Sequence, residues 1–491
     1  MRAALRRAAA AIVCASMAAC GGGGSSPAPT PAPAPAAAAS VTLSATPATV
    51  NVGQQVTLGW SSQNTGAASC TASGAWSGQQ SASGTATVTA AAPAAGFGGA
   101  PAASISYTLT CGGTAASASV TVNAPAPANL LAITVDAGPA GAGNQVNLPY
   151  VSVTVCRPGT SVCATIDHVL VDTGSYGLRL LASTAQALAL PAVLAPSGAA
   201  AGECGQFIGG HTWGSVVRAD VRLGGESAAA LPLQLMGDTP GGAAATPAAC
   251  ASIGENIGTL TGLGANGILG VGMLRYDCGA ACVSNAIGAA YYSCAASGCV
   301  ASRMPLASQV SNPVAGFAVD NNGVLLRLPS VGSGGAASVA GSLIFGINTQ
   351  ANNAIAGETT FRADKVGNFT TIYKGVTMSA SFIDSGSNGI FFDDDSIAVC
   401  EVSTGFYCPP ATLALSATTV AADGSAARTI DFSIDNVESL GNGIHVGNVG
   451  GPGGSVKTGA NNAFDWGLPF FFGRRVFVGM ESGAASGYWA Y

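Results

Sequence analysis

At 491 residues the chain is long enough for two or three domains, yet only 8% of its residues are charged and its formal charge is −6. That balance gives no basic footprint for nucleic acid, so no nucleic-acid partner is expected. No run of about 18 apolar residues follows the N-terminus, so no membrane-spanning helix is expected either.

Residues 1–19 have the anatomy of a signal peptide. Arg2, Arg6 and Arg7 precede the apolar run Ala8–Ala19, and small residues lead into Cys20. Met17-Ala-Ala-Cys20 resembles the lipobox of bacterial lipoproteins, which implies that Cys20 becomes a lipidated first residue. An ordinary signal peptide with an incidental Cys20 is the alternative. Gly21 after the cysteine resembles outer-membrane sorting. The expectation is a protein of the cell envelope, anchored by its N-terminal lipid alone, at the outer membrane. Residues 20–39, Gly/Ser-rich and then Pro-Ala repeats, are too poor in large apolar residues to pack and read as a tether.

From Ser40 to Asn123 short alternating runs rich in Val and Thr are separated by turn residues, the pattern of a small antiparallel sandwich. Trp60 and the Cys70/Cys111 pair would form its core. It resembles an immunoglobulin-like module, apart from the Gly/Ala-rich insert Ala90–Ala103. A Pro-Ala hinge, Ala124–Asn129, leads into residues 130–491, read as one mainly β unit. Tyr150–Cys156 and Thr165–Val171 alternate as strands around a Pro158-Gly159 turn. Short helices are expected at Ser183–Leu190 and Ser284–Tyr292.

Removing Cys14 with the signal and Cys20 with the lipid leaves twelve of the 14 cysteines, an even number that reads as disulfides in an exported chain. Close spacing pairs Cys156 with Cys163 and Cys400 with Cys408. Cys70–Cys111 and Cys204–Cys250 are longer-range pairs. Cys278, Cys282, Cys294 and Cys299 would make two more bridges, with the partners open. A zinc site is the alternative for that quartet, but no histidine lies nearby, and no metal is expected.

Two stretches carry the chemistry. His168–Leu181 reads HVLVDTGSYGLRLL and Ser381–Asp393 reads SFIDSGSNGIFFD. In each an apolar run delivers an aspartate, Asp172 or Asp384, to a turn, 384 − 172 = 212 residues apart. Thr173 and Ser385 offer hydroxyls that can lock the two turns together. Gly174 and Gly386 let backbone N–H groups point at the carboxylate, and Ser175 and Ser387 can donate to its outer oxygen. Two carboxyls brought together cannot both ionise easily, so one keeps a proton and the pair becomes a general acid and base around a water. Turn aspartates that merely cap loops are the competing explanation.

These loops resemble the D-T/S-G motifs of the pepsin-like aspartic peptidases. Asn266-Gly-Ile-Leu-Gly-Val-Gly272 is similar to the hydrophobic-hydrophobic-Gly segment that the family threads under its first loop. Phe464-Asp-Trp-Gly-Leu-Pro-Phe-Phe-Phe472 is similar to the retropepsin form of the second, with Asp465 departing from its apolar character. Gly341–Ile347 resembles the strand that opens the family's second lobe. The resemblance implies a bilobal pepsin-like acid-protease double barrel, with lobes of about 130–335 and 336–491, preceded by the immunoglobulin-like sandwich. It implies an aspartic-type endopeptidase without cofactor, acting as a monomer on a peptide or protein held between the lobes. The family's flap carries a tyrosine that Phe207–Gly225 lacks, so Phe207 or Trp213 is expected to cover the cleft. An inactive pepsin-shaped binding protein, or an adhesin whose sandwich binds, are the rivals.

Among weaker signals, His168 reads as a strand residue, His211 as a solvated loop histidine, and Asp393–Asp395 as a solvated turn rather than a calcium loop. Gly450–Thr458 departs from a phosphate loop at Val456. Trp466 and Phe470–Phe472 read as core.

Overall fold

The computed structural model describes residues 37–91, 102–123, 127–441, 444–453 and 463–491. The signal, the lipidation candidate Cys20, most of the tether and the end of the Gly450–Thr458 stretch lie outside them. The chain divides into two compact units near residue 125. Among the described residues no helix is long and apolar enough to cross a membrane.

The first unit pairs a three-stranded sheet with a five-stranded one. Period-2 alternation decides what each strand buries. In Gln55–Gln63, Val56, Leu58 and Trp60 point inward, against Tyr107, Leu109, Val120 and Val122 of the other sheet. Cys70 and Cys111 bond to each other within this core. They sit on neighbouring strands of one sheet, Ser69–Gly74 and Ala102–Cys111. An immunoglobulin domain instead joins its two sheets with its disulfide, and what this unit shares with one is the two-sheet core.

The second unit is mainly β and two-lobed. In its N-terminal lobe six strands close into a ring: Gly210–Leu223, Glu226–Met236, Tyr176–Leu181, Gly267–Val271, Cys163–Asp172 and Pro149–Cys156. The last pairs back onto the first, Val155 opposite Val221. Val, Leu and Ala side chains fill the ring, among them Val153, Val171, Leu233 and Leu269. Leu130–Val135, Val339–Phe345, Gly323–Arg327 and Arg475–Gly479 continue the sheet between the lobes, drawing strands from both ends of the unit. A seven-stranded sheet forms the C-terminal lobe. Its core is aromatic: Phe392 stacks on Phe464, which stacks on Trp466. This is the bilobal, pepsin-like arrangement that the motifs imply.

The lobes repeat one local design. Cys163–Asp172 runs parallel to Gly267–Val271, with Asp172 opposite Gly270, and the same glycine faces Gly177 of the next strand. Val376–Ile383 runs parallel to Asp465–Trp466, with Ile383 opposite Trp466, which also faces Ile390. Both glycine segments thus pass beneath an aspartate loop. A β-carbon at Gly467 would meet Gly389 O at 2.0 Å, and one at Gly270 would meet Tyr176 N at 2.7 Å. Only glycine permits so close an approach.

All twelve cysteines among the described residues are bridged, and the quartet pairs as Cys278–Cys282 and Cys294–Cys299. The expected close and longer-range pairs form as well. One helix expectation is corrected. Ala182–Leu188 is helical, α and then 3-10, but Ser284–Tyr292 is not. The helix there is Ala280–Ser284, beginning between the bonded Cys278 and Cys282, and Tyr291–Ala295 is a strand. The backbone is already extended at Asn285, and Tyr291 and Tyr292 are drawn into the sheet beside Glu203 and Gly202.

Candidate active site

Asp172 is the last residue of its strand and Asp384 follows the last residue of Val376–Ile383, so each strand end presents a carboxyl to the same place. The neighbouring hydroxyls cross between the loops. Thr173 Oγ1 donates to Ile383 O (2.8 Å) and accepts from Ser385 N (2.9 Å). Ser385 Oγ donates to Val171 O (2.7 Å) and accepts from Thr173 N (3.2 Å). All four bonds are buried and related by the lobes' pseudo-twofold, so the two turns hold each other.

The remaining loop residues aim donors at the carboxyls. Asp172 Oδ1 accepts from Gly174 N (2.8 Å) and Ser175 N (3.1 Å), and Oδ2 accepts from Ser175 Oγ (2.5 Å). Asp384 Oδ1 accepts from Gly386 N (2.8 Å), and Oδ2 from Ser387 Oγ (2.9 Å). A β-carbon added at Gly386 would lie 3.1 Å from Asp172 Oδ1 and 3.1 Å from Asp384 Oδ1. A β-carbon at Gly174 would likewise lie 2.8 Å from Asp384 Cγ, so each loop's glycine stands against the other loop's carboxyl and the two carboxyls face each other. Burial and then the facing Asp172 hold the Asp384 carboxyl well above the usual carboxylate range. Two carboxyls so placed cannot both ionise easily.

A cleft of about 750 Å³ opens over the pair. Its floor is Asp172–Tyr176 with Asp384, Gly386 and Ser387. Its walls are mostly apolar: Leu170, Ile253, Ile257, Ile268, Met273, Val366, Phe382 and Trp489. A separate cavity of about 460 Å³ beside Phe432, Trp466, Phe470 and Arg474 includes neither aspartate.

The hairpin over the cleft is Ala200–Phe207 with Gly210–Leu223, Phe207 opposite Gly210. Its turn falls at Ile208–Gly209, so its first strand precedes the stretch expected from sequence. Gln206, Phe207, Ile208 and Gly209 line the cleft. Trp213 does not, and that expectation is corrected. Four residues beyond Gly209, it is buried edge-on against Tyr292 beside the Cys204–Cys250 bridge. His211 is not solvated. It is buried, with Nδ1 2.9 Å from Gly254 O. Asp394 is likewise not in a solvated turn. Bonds from Tyr373, Lys374 and Ser396 hold its carboxylate below the usual range, against the opposing effect of burial. His168 is a strand residue paired with Asp136 and Asp167.

The sequence motif also contains a cleft residue given no role there. Tyr176 lies on the floor, with burial and then the Asp172 charge raising its phenol to about 12. Behind the floor, buried Arg179 donates to Glu203 of the hairpin (2.5 Å), to Asp277 (3.4 Å) and to Tyr176 O (2.8 Å). Its guanidinium sits 5.5 Å from the Phe207 ring centroid. One cation thus fixes the loop, the hairpin and the segment beyond Gly272. Apart from its i, i+3 link to Tyr176, these contacts join residues 24 to 98 positions apart, which no local pattern reveals.

As for chemistry, paired carboxyls sharing a proton can polarise a water and protonate a leaving group. Among the described residues the one cluster with metal-ligating geometry is Cys400, Cys408 and Glu438, whose cysteines are bonded to each other.

Fold and site together define a two-lobed β protein with paired aspartate loops. The chain belongs to a family described as "Protein of unknown function (DUF3443)", whose model matches residues 125–491. No curated protein matches it. Among solved structures it is similar to an aspartic proteinase from Irpex lacteus, at 16% identity and a TM-score of 0.42, over 74% of this chain and 96% of that one.

Proposed function

We propose that residues 130–491 form an aspartic-type endopeptidase. The observation that carries this reading is that the Asp172 and Asp384 carboxyls face each other at the floor of one cleft, with burial and then Asp172 holding the Asp384 carboxyl well above the usual carboxylate range. An extended peptide lies in the cleft, bonded as an added strand. Asp172, whose carboxylate accepts three hydrogen bonds, takes a proton from the attacking water. As the water oxygen adds to the scissile carbonyl carbon, Asp384 gives its proton to the carbonyl oxygen. Asp172 then passes the water's proton to the amide nitrogen while Asp384 takes a proton back from the diol, and the C–N bond breaks. No covalent intermediate and no metal is involved. The enzyme is a monomer, held at the cell envelope by a lipid on Cys20.

The test is digestion of an unfolded protein by the purified chain across acid to neutral pH. Asp172→Asn and Asp384→Asn are each expected to abolish cleavage with the fold intact. Unchanged cleavage by either variant overturns the assignment.

The hairpin tip, Phe207-Ile208-Gly209, has no hydroxyl to offer a substrate. That favours one rival, a pepsin-shaped binding protein that holds peptides without cutting them. It would bind peptide equally well in both Asn variants.

A further inference from the structure

The two aspartate loops are tied at the same place by different means. The carbonyl four residues past Asp172 is Tyr176 O, which accepts from Arg179 Nη1 at 2.8 Å. The carbonyl four residues past Asp384 is Asn388 O, which accepts from Asn147 Nδ2 at 3.0 Å. Arg179 belongs to the lobe whose loop it holds. Asn147 reaches across from the other lobe, 241 residues away in the chain.

Asn147 is 0% exposed, and both polar atoms of its side chain are bonded. Nδ2 donates also to Val446 O (2.9 Å), and Oδ1 accepts from Val446 N (3.0 Å). Its backbone N–H donates to His445 Nδ1 (3.0 Å). All four bonds go to the C-terminal lobe. The residue's φ is +55°, a left-handed conformation that asparagine adopts more readily than most.

His445 is buried beside it. A neutral imidazole has one N–H, and because Nδ1 accepts here, the hydrogen is on Nε2. A second proton has only Nδ1 to go to, where it would meet the Asn147 N–H, donor against donor. His445 can therefore become charged only by giving up its bond to Asn147. Among the described residues the charged group bearing on the ring is Asp136, itself 3.5 Å from His168 Nε2. Asp136 and the Ala337 backbone favour the charged ring, but burial outweighs them and holds it below the ordinary imidazole range.

We propose that Asn147 is a positioning residue of the catalytic centre, holding the second aspartate loop from the opposite lobe, and that His445 makes this hold sensitive to acid. No atom of either residue touches substrate. The folded-state value of His445 lies below its unfolded value of 6.5. The bond therefore contributes fully above that unfolded value and is lost as pH falls through the folded one. The role rests on the reading of Asp172 and Asp384 as a catalytic pair, but the hold itself is measurable without turnover.

The test is imidazole NMR titration of the full chain, with hydrogen exchange over residues 381–393 and 163–181, in wild type, His445→Asn and Asn147→Gly. The chain has three histidines, so the signal missing from His445→Asn is assigned at once. It should titrate below the ordinary range, and wild-type protection over 381–393 should fall across the same step. In His445→Asn that step should vanish, since an amide oxygen accepts from Asn147 N and takes no proton. Asn147→Gly keeps the left-handed backbone and the N–H and removes only the side chain. It should lower protection over 381–393 by more than about tenfold at neutral pH, and more than over 163–181. A His445 signal in the ordinary range, wild-type protection unchanged across its step, or equal protection loss in both segments of Asn147→Gly overturns the proposal.

With substrate, Asn147→Gly should lose up to about 10²-fold in kcat with little change in KM. His445→Asn should keep cleaving to lower pH than wild type, and identical acid limbs overturn the proposal. Absence of cleavage in every protein, wild type included, would instead strike at the peptidase assignment and leave the exchange result standing.

Discussion

Replacing Ser385 by alanine should weaken the join between the lobes while removing a single oxygen. That oxygen makes two buried bonds, accepting from Thr173 N at 3.2 Å and donating to Val171 O at 2.7 Å. Ser385 is 0% exposed and Thr173 2%, so water cannot replace it. Leaving one buried backbone donor and one acceptor unpaired costs about 1–3 kcal/mol each, or about 2–6 kcal/mol together. Hydrogen exchange followed by mass spectrometry over residues 163–181 and 376–391 reads this directly. Protection there should fall more than about twenty-fold, since each 1.4 kcal/mol is a factor of ten. Ser385→Thr, which supplies the residue of the other half, should retain most of it. Protection within about two-fold of wild type in Ser385→Ala would refute the lock, because the bonds would then contribute nothing net.

Three further outcomes follow from the same geometry. Gly174→Ala would set a methyl 2.8 Å from Asp384 Cγ and should abolish cleavage without unfolding the unit, measured by peptide hydrolysis beside circular dichroism. Asp465 carries a folded-state value raised to about 8. Its stabilising contribution is therefore complete below the unfolded value of about 4 and is lost as pH rises toward 8, at about 1.4 kcal/mol per pH unit and about 5 kcal/mol in all. Denaturation of Asp465→Asn against wild type should show that gap open with rising pH, and parallel curves would contradict it. Cys204–Cys250 closes a separation of 46 residues. Replacing both by alanine should cost about 4 kcal/mol of stability and loosen the hairpin, seen as a lower melting temperature.

How much of this was legible depends on how local each signal is. The aspartate loops announce themselves because four consecutive residues each have a distinct task at the turn. The glycine segments are visible because Gly270 and Gly467 sit where a side chain would strike the loop above. Close cysteine spacing betrays Cys156–Cys163 and Cys400–Cys408, whereas four cysteines within 22 residues admit several pairings. Contacts between distant residues leave no local trace. Pairing of Pro149–Cys156 with Gly210–Leu223 closes the ring, and Gly254 and Tyr292, from later in the chain, cover His211 and Trp213, which a hairpin read in isolation leaves outside. Asp394 misleads in the same way, because a run of three aspartates looks solvated until Tyr373 and Lys374 arrive from another strand. Asp465 stands out in the sequence only as a break in an apolar segment, and its burial between Phe382 and Phe391 shows only in the sheet.

Calorimetric titration of a pepstatin-type hydroxyl inhibitor into wild type, Asp172→Asn and Asp384→Asn asks most directly whether the two carboxyls act as one. A shared proton on a working pair predicts saturable binding at one site per chain in wild type and loss of that binding in both variants. Equal binding by all three proteins, or none by wild type, would contradict it.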